Sequence, residues 1–302
     1  MLESLSVQRV PVHEVVVADG SSDDQTRALL EEPCWSQLGL NLRHHRSHPP
    51  NAVRQRKAAI EAATGDLLLL LDDDVVLESD CVEQMVRVLA SDEGVVGVVA
   101  DFNNQPWAMP TRAWSFYLRH VVGLRKGEWQ GRVVGPLLRF GFNPPPKGPL
   151  PMDWLATCNS MIRRLAYDQV GGFSDFFLHR CTMNEDVDLG IKIARVGRIL
   201  FCPAARMAHH HAPGGRVSVA VAAEDDLYNR FLVLRRTCGH SAARTFGLIC
   251  VFLLLETTSH FLGCVKRVNF QGFLPRFLGQ LRGFVRVIFR SHGQRHPALK
   301  AR

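Results

Sequence analysis

The 302-residue sequence has no Asp or Glu after Glu256, no CxxC pair among its eight cysteines and no apolar h-region in Met1–Arg9. The missing acids locate the charge. Nine Lys or Arg follow Glu256, whereas residues 1–256 hold 27 basic and 29 acidic side chains, so the net +7 belongs to a tail. A nucleic-acid binder more often carries its basic face on the folded domain, so no nucleic acid is expected as partner. A basic, partly apolar tail points instead to an anionic membrane surface. The lack of CxxC excludes zinc-ribbon and thioredoxin readings. Low cysteine density with irregular spacing predicts free thiols in a reducing cytoplasm. The missing h-region predicts no signal peptide. Internal repeats and low-complexity tracts are absent, and 46% hydrophobic with 22% charged residues is globular composition. The length suits two domains, or one large α/β domain with an appendage.

Apolar periodicity predicts alternating strands and helices. The run His13–Ala18 reads as a buried strand stopping at Asp19, followed by a turn and a helix over 23–32. A second strand is expected at 38–43, and a helix over 51–64 between Pro49-Pro50 and Gly65. The leucines of 66–71 predict a strand buried on both faces, ending at Asp72-Asp73-Asp74. A helix over 79–90 and a strand over 94–100 continue the rhythm. Such alternation implies parallel pairing with right-handed crossovers. Residues 102–150, rich in Trp, Gly and Pro, break the pattern and read as a long functional loop or subdomain. A strand is expected over 153–161, a helix over 163–170, a helix over 184–196 with Asn184 as N-cap, and a strand over 199–202.

From Ala222 onward the pattern is helical. Phe246–Leu255 is almost wholly apolar, but Glu256–His260 interrupts it. A mid-span acid costs on the order of 2.5–3.5 kcal/mol, which argues against a simple spanning helix. Phe273, Phe277, Leu281, Phe284 and Ile288 recur at helical spacing with arginines beside them, the pattern of an in-plane amphipathic helix. A helix docked on the domain with solvated arginines is the alternative.

Carboxylates at the carboxyl ends of strands stand where open α/β sheets bind ligands. Asp19 ends one strand and Asp72–Asp74 another. Two acids in D-x-D spacing can share a divalent cation, which can bridge a diphosphate; an isolated acidic turn capping the next helix gives the same letters. Glu185 and Asp186, at the start of the 184–196 helix, are either favourable dipole partners or a general base above a pocket.

Four ordered segments, VVVADGSSDDQT, NAVRQRKAAIEAATGDLLLLLDDDV, NSMIRRLAYDQVGGFSDFF and NEDVDLGIKIARVGRILFCPAARMAHHH, cover most of residues 12–215. Their order and spacing resemble the inverting nucleotide-sugar glycosyltransferases of family 2. Tyr228-Asn229-Arg230 resembles the region after the catalytic domain in bacterial rhamnosyltransferase-like members. The resemblance implies a GT-A fold over 1–215, a Rossmann-type, mostly parallel sheet flanked by helices, with a helical extension over 216–302. It implies that Asp19, Arg56, Asp72 and Asp73 meet the nucleotide sugar. Asp72 and Asp74, with one of His209–His211 (His210 taken as the ligand), would hold Mg²⁺ or Mn²⁺. Asp186 would be the catalytic base, with Glu185 orienting it or the acceptor. Trp154 and the 102–150 aromatics are candidates for the acceptor side, or ordinary core.

The expected activity is sugar transfer to a cell-surface glycan or lipid-linked acceptor at the inner face of the cell membrane. The sequence departs from the family in three places. Met1–Leu5 resembles the end of the family's first helix, so the family's preceding apolar strand is expected to be missing. Lys57 stands where the family often has Asn, and Lys192 where it often has Arg, which removes a bidentate fork. The alternatives are a non-catalytic relative that binds partners and a sugar nucleotidyltransferase. The second lacks its expected glycine-rich, Lys- or Arg-bearing loop after the first strand.

Overall fold

The computed structural model describes residues 1–178, 182–211 and 217–293. A short helix α1 (Leu2–Ser6) precedes strand β1 (Val15–Asp19). Helices α2 (Gln25–Leu30) and α3 (Pro33–Gln37) lead to β2 (Leu42–Arg46), which pairs with β1 in parallel as a separate two-stranded sheet. Pro33 sits at the first turn of α3, where its missing N–H costs nothing. Helix α4 (Ala52–Ala62) is capped by Asn51, whose side chain accepts from the Arg54 N–H.

The central sheet begins with β3 (Leu67–Leu71), β4 (Val75–Leu77), helix α5 (Cys81–Ala90) and β5 (Val95–Phe102). The stretch expected to be a long loop or subdomain holds α6 (Arg112–His120), capped by Thr111, and the short strands β6 (Val133–Val134), β7 (Leu138–Arg139) and β8 (Leu150–Pro151). Then come β9 (Asn159–Arg163), α7 (Arg164–Gln169), α8 (Glu185–Ile193) and β10 (Arg198–His209). The strand order is β3-β9-β5-β10-β4, with β8 on β10.

This is the expected α/β class with helices flanking a sheet, but the pairing is mixed rather than mostly parallel. Among the described residues only β5–β10 and β1–β2 are parallel; β9 runs antiparallel to both β3 and β5, and β4 antiparallel to β10. The reason is connectivity. Strand β9 returns from the long 102–150 excursion instead of following a crossover helix, so nothing forces it parallel.

Alternation splits the core across the sheet. Val98, Met161, Cys202 and Met207 face α5, whose Cys81, Met85 and Leu89 are buried. Leu68, Val99, Ile162 and Phe201 face the other way, toward α8 and the 102–150 subdomain. Two strand expectations change. Residues 153–158 are irregular, because Trp154 and Leu155 wedge against Gly190 of α8, where a Cβ would lie 2.5 Å from Trp154 Cα. Strand β10 runs past 202 to His209 through a bulge at Cys202–Arg206, which accommodates Pro203.

Helix α9 (Val219–Leu232) continues as a π-helical segment, Val233–Thr237, into α10 (Ala242–Arg267) and α11 (Phe273–Gly293). The boundary expected at 215–216 lies outside the described residues. The helical region does not stand apart from the sheet domain. The Arg230 guanidinium donates to the Pro136 and Leu137 carbonyls (2.8 and 2.9 Å), and Phe252 packs 6.0 Å from Trp114. Seven of the eight cysteines are described, all as free thiols; Cys181 lies outside the described residues.

Candidate active site

The turn between β3 and β4 places Asp72, Asp73 and Asp74 at the carboxyl end of β3. Asp72 and Asp74 gather with His209, each offering one ligand atom within 4.8 Å of the others. His209 Nε2 lies 3.0 Å from Asp74 Oδ1. The histidine expected here was His210. Strand β10 runs antiparallel beside β4 as far as His209, opposite Val75, which brings the His209 ring beside the turn that holds Asp72 and Asp74. His210 is exposed, and its backbone N–H donates to the Asp74 carbonyl (2.9 Å). His211 bonds Gln105 (2.7 Å) and packs its ring 4.1 Å from that of His209. Two carboxylates and an imidazole are a donor set able to hold a divalent cation. Asp73 is exposed in the same turn.

Arg56, on α4, joins this cluster to the second acidic group. Its guanidinium donates to Asp72 Oδ1 (2.8 Å) and to Glu185 Oε1 (3.2 Å). Burial disfavours its charge, but Asp72 and Glu185 prevail and raise its pKa. Glu185 is deeply buried at the start of α8. Burial first, then the neighbouring Asp186 charge, push its pKa up to about 7 against the opposing arginines Arg56 and Arg139. Thr157 Oγ1 also donates to it (3.4 Å). Cys158, beside Asp72, is pushed up to about 12 by burial and is a neutral neighbour rather than a nucleophile.

Asp186 accepts from the Val187 N–H (2.8 Å) and meets Arg139 at 3.3 Å. Arg139 arrives from β7, donates to Asn184 Oδ1 (3.1 Å) and lies over the Trp154 ring at 5.6 Å. Asn184 occupies the N-cap position of α8 but makes no capping bond. It takes a left-handed φ of 73° and sends its amide to Asp226 Oδ1 (2.8 Å) on α9. Asp188, one turn further and fully buried, accepts from Ser174 (2.7 Å) and Thr237 and pairs with Lys192 (3.2 Å). These bonds hold α8 between the preceding loop and the C-terminal helices. Lys57 meets Asp175 at 2.5 Å.

Trp154 is both core and cavity wall. It is buried, its Nε1 has no hydrogen-bond partner among the described residues, and Trp107 packs edge-on to it at 5.7 Å. It lines a cavity of ≈ 450 Å³ together with Trp107, Trp114, Arg139, Phe252 and Arg276. A larger depression of ≈ 720 Å³ beside Pro144–Pro146 shares no residue with the carboxylates.

Asp19 stands on the separate sheet. It is buried, and its carboxylate accepts from the Ser21 N–H (2.8 Å) and pairs with His44 (3.1 Å). Burial alone would raise its pKa, but the Ser21 and His44 bonds prevail and lower it. The Gln55 amide, one residue before Arg56, donates to the Ala18 carbonyl (2.9 Å) and ties α4 to that strand.

The sequence reading missed Arg139 and Asp226. Neither stands in a quoted motif, and each meets Asn184 of the acidic site from 45 and 42 residues away.

The family model for "Glycosyl transferase family 2" matches residues 1–170. The O-antigen biosynthesis protein RfbC of Myxococcus xanthus is 27% identical over 240 residues, covering 74% of this chain and 17% of that protein. The N-acetylglucosaminyl-diphospho-decaprenol L-rhamnosyltransferase of Mycobacterium tuberculosis is 38% identical over 64 residues, 20% of each chain. The matches thus take in about a fifth or less of either relative's length. Among solved structures, S. aureus TarS 1-349 in complex with UDP-GlcNAc aligns with a TM-score of 0.56 at 14% identity, covering 95% of this chain and 76% of that one. The mannosyltransferase PcManGT of Pyrobaculum calidifontis, in complex with GDP-Man and Mn²⁺, aligns at 0.54 with 15% identity, covering 96% and 83%. At such identities the structural likeness concerns the GT-A fold.

Proposed function

The chain belongs to glycosyl transferase family 2, and on that premise we propose that it moves a sugar from a nucleoside-diphosphate donor to a hydroxyl of a glycan or lipid-linked acceptor. One observation carries the reading. Arg56 bridges Asp72 and Glu185, so the Asp72–Asp74–His209 cluster and the Glu185–Asp186 pair form one continuous site. The aromatic cavity lies on the Arg139 side of that pair.

In this reading the donor diphosphate lies over Asp72, Asp74 and His209. A bound Mg²⁺ or Mn²⁺ would neutralise the charge growing on the leaving diphosphate. Asp19, Arg56 and Asp73 would meet the nucleotide sugar. Asp186 takes the proton of the acceptor hydroxyl as its oxygen attacks the anomeric carbon opposite the diphosphate, which inverts the configuration. Arg139 positions Asp186 from one side, and Glu185 flanks it from the other. The rings of Trp154 and Trp107 offer apolar faces to an acceptor sugar. The O-antigen biosynthesis named for the Myxococcus relative and the diphospho-decaprenol named for the mycobacterial one support a lipid-linked acceptor.

The test is calorimetric titration with UDP, TDP and GDP, with and without Mn²⁺. One nucleotide should bind in a metal-dependent way, and Asp72→Ala/Asp74→Ala should abolish it. His209→Ala should weaken Mn²⁺ binding at least about tenfold, as losing even an outer-shell partner does, while His210→Ala should not. Asp186→Asn should retain nucleotide binding but lower kcat about 10²-fold or more. A folded protein that binds no nucleotide with any metal would refute the reading in favour of a non-catalytic relative.

A further inference from the structure

Helix α11 is apolar on two faces, and only one of them is used. Its inner face packs on α9 so closely that a Cβ on Gly279 would lie 2.1 Å from the Ala220 carbonyl oxygen, and one on Gly283 would lie 2.6 Å from that of Glu224. Val287 and Gln280 are buried on this face. The outer face carries Leu274, Leu278, Leu281, Val285 and Phe289, all exposed, at spacings of three and four residues. Leu274 is 60% exposed and Phe289 74%.

Helix α10 repeats the arrangement. One row, Phe252, Glu256 and Ser259, meets α6: Trp114 Nε1 donates to Glu256 (3.1 Å), and Thr111 and Ser259 share a hydrogen bond (2.8 Å). A second row, Phe246, Thr257 and His260, meets α11 through Phe284, Gln280 and Phe273. The third row, Leu254, Leu262, Val265 and Val268, is exposed, and Phe261 beside it is half-exposed with its ring edge-on to Phe273 of α11 at 5.7 Å. The two unpartnered faces meet at the α10–α11 turn, where Phe261 and Phe270 lie 6.1 Å apart.

Charge selects the occupant. Lys266, Arg267 and Arg282 are exposed beside these faces, and neither α11 nor the turn before it holds an acid. An apolar stripe rimmed by cations complements an anionic lipid surface, with the apolar groups below the headgroups and the cations at phosphate level. Helix α10 is long and apolar enough to cross a membrane by length and composition. Yet its Glu256 is engaged by Trp114 and Arg276, and two of its rows are already packed on α6 and α11. Crossing a bilayer would strip these contacts; lying in its surface keeps them. We infer that the third row of α10 and the outer face of α11 form one surface that docks peripherally on an anionic phospholipid bilayer. Glu256 and Arg276 of the same two helices also line the aromatic cavity, so docking would hold the helices that wall this cavity at the lipid surface. This last point rests on the glycosyl-transfer reading; the docking itself does not.

The experiment is flotation of the full chain with vesicles of phosphatidylcholine alone and of phosphatidylcholine with phosphatidylglycerol. Binding is expected only with the anionic lipid and should weaken as salt rises. Lys266→Gln/Arg282→Gln should lower it about fivefold per cation removed. Leu274→Glu/Leu278→Glu should abolish it, with circular dichroism and nucleotide binding unchanged. Loss of nucleotide binding bears on the transferase reading and vesicle binding on this one, so the two fail separately. Absent or charge-independent binding overturns the inference. So does retention on vesicles in alkaline carbonate, which marks an inserted helix. A concentration-dependent dimer dispersed by Leu274→Glu/Leu278→Glu would assign the surface to a second copy instead.

Discussion

At the scale of residues, the site is set by competition between burial and charge. Glu185 lies where desolvation and Asp186 both oppose its ionisation, while Arg56 and Arg139 favour it; the first two prevail and its pKa stands at about 7. A carboxyl whose folded value exceeds its ordinary 4.5 binds more protons folded than unfolded between those values. Stability from this group is therefore full below about pH 4.5 and is lost as pH rises through about 7. Glu185→Gln removes the dependence. Urea midpoints at pH 5 and pH 8 should show the variant gaining on the wild type as pH rises; parallel shifts would show that Glu185 is already ionised at pH 5. Both acidic groups were legible as motifs because each occupies a strand end or a helix start. The grouping of His209, rather than His210, with Asp72 and Asp74 depends on how far β10 runs beside β4, which is a tertiary pairing.

At the scale of elements, close approach replaces side chains at two helix contacts. Gly190 lets α8 rest on the Trp154 backbone, and Gly279 with Gly283 lets α11 rest on α9. Arg286 then pairs with Asp225 (2.7 Å) and Glu224 (3.0 Å) across the α9–α11 seam. Gly283→Val must push α11 off the Glu224 backbone and should cost about 1–3 kcal/mol, as overpacking does. Thermal unfolding checks this, and an unchanged midpoint would mean that the seam is looser than described. Periodicity showed α11 to be amphipathic but not which apolar face would be covered. Helix α6 was invisible for a related reason. Its Trp114, Tyr117 and Leu118 are buried only because β7 and α10 come to meet them, and the surrounding glycines and prolines read as loop.

At the scale of the molecule, the C-terminal helices complete the domain that bears the site. Ile249 and Phe252 of α10 are buried in the same cluster as Trp114, Trp154 and Leu189. Arg230 holds α9 to the 136–137 backbone while lying 4.1 Å from the Phe252 ring. A chain ended after His240 should lose cooperative unfolding, because each fully buried aromatic or aliphatic side chain contributes about 1.5–3 kcal/mol of burial. Scanning calorimetry of that chain beside the full one is the check. A single sharp transition at the full-length midpoint would make α10 and α11 an independent appendage.

The sequence by itself determined the α/β class, the strands ending at Asp19 and Asp72, the helix opened by Glu185 and Asp186, and the helical, basic C-terminal region. These follow from local periodicity and from charges placed at strand and helix ends, which act over a few residues. Only the tertiary structure decided the mixed pairing of the sheet, the choice of His209, the Arg56 bridge and the arrival of Arg139 and Arg230. Each depends on register, or on contacts between segments many tens of residues apart, and no local pattern encodes where such segments meet.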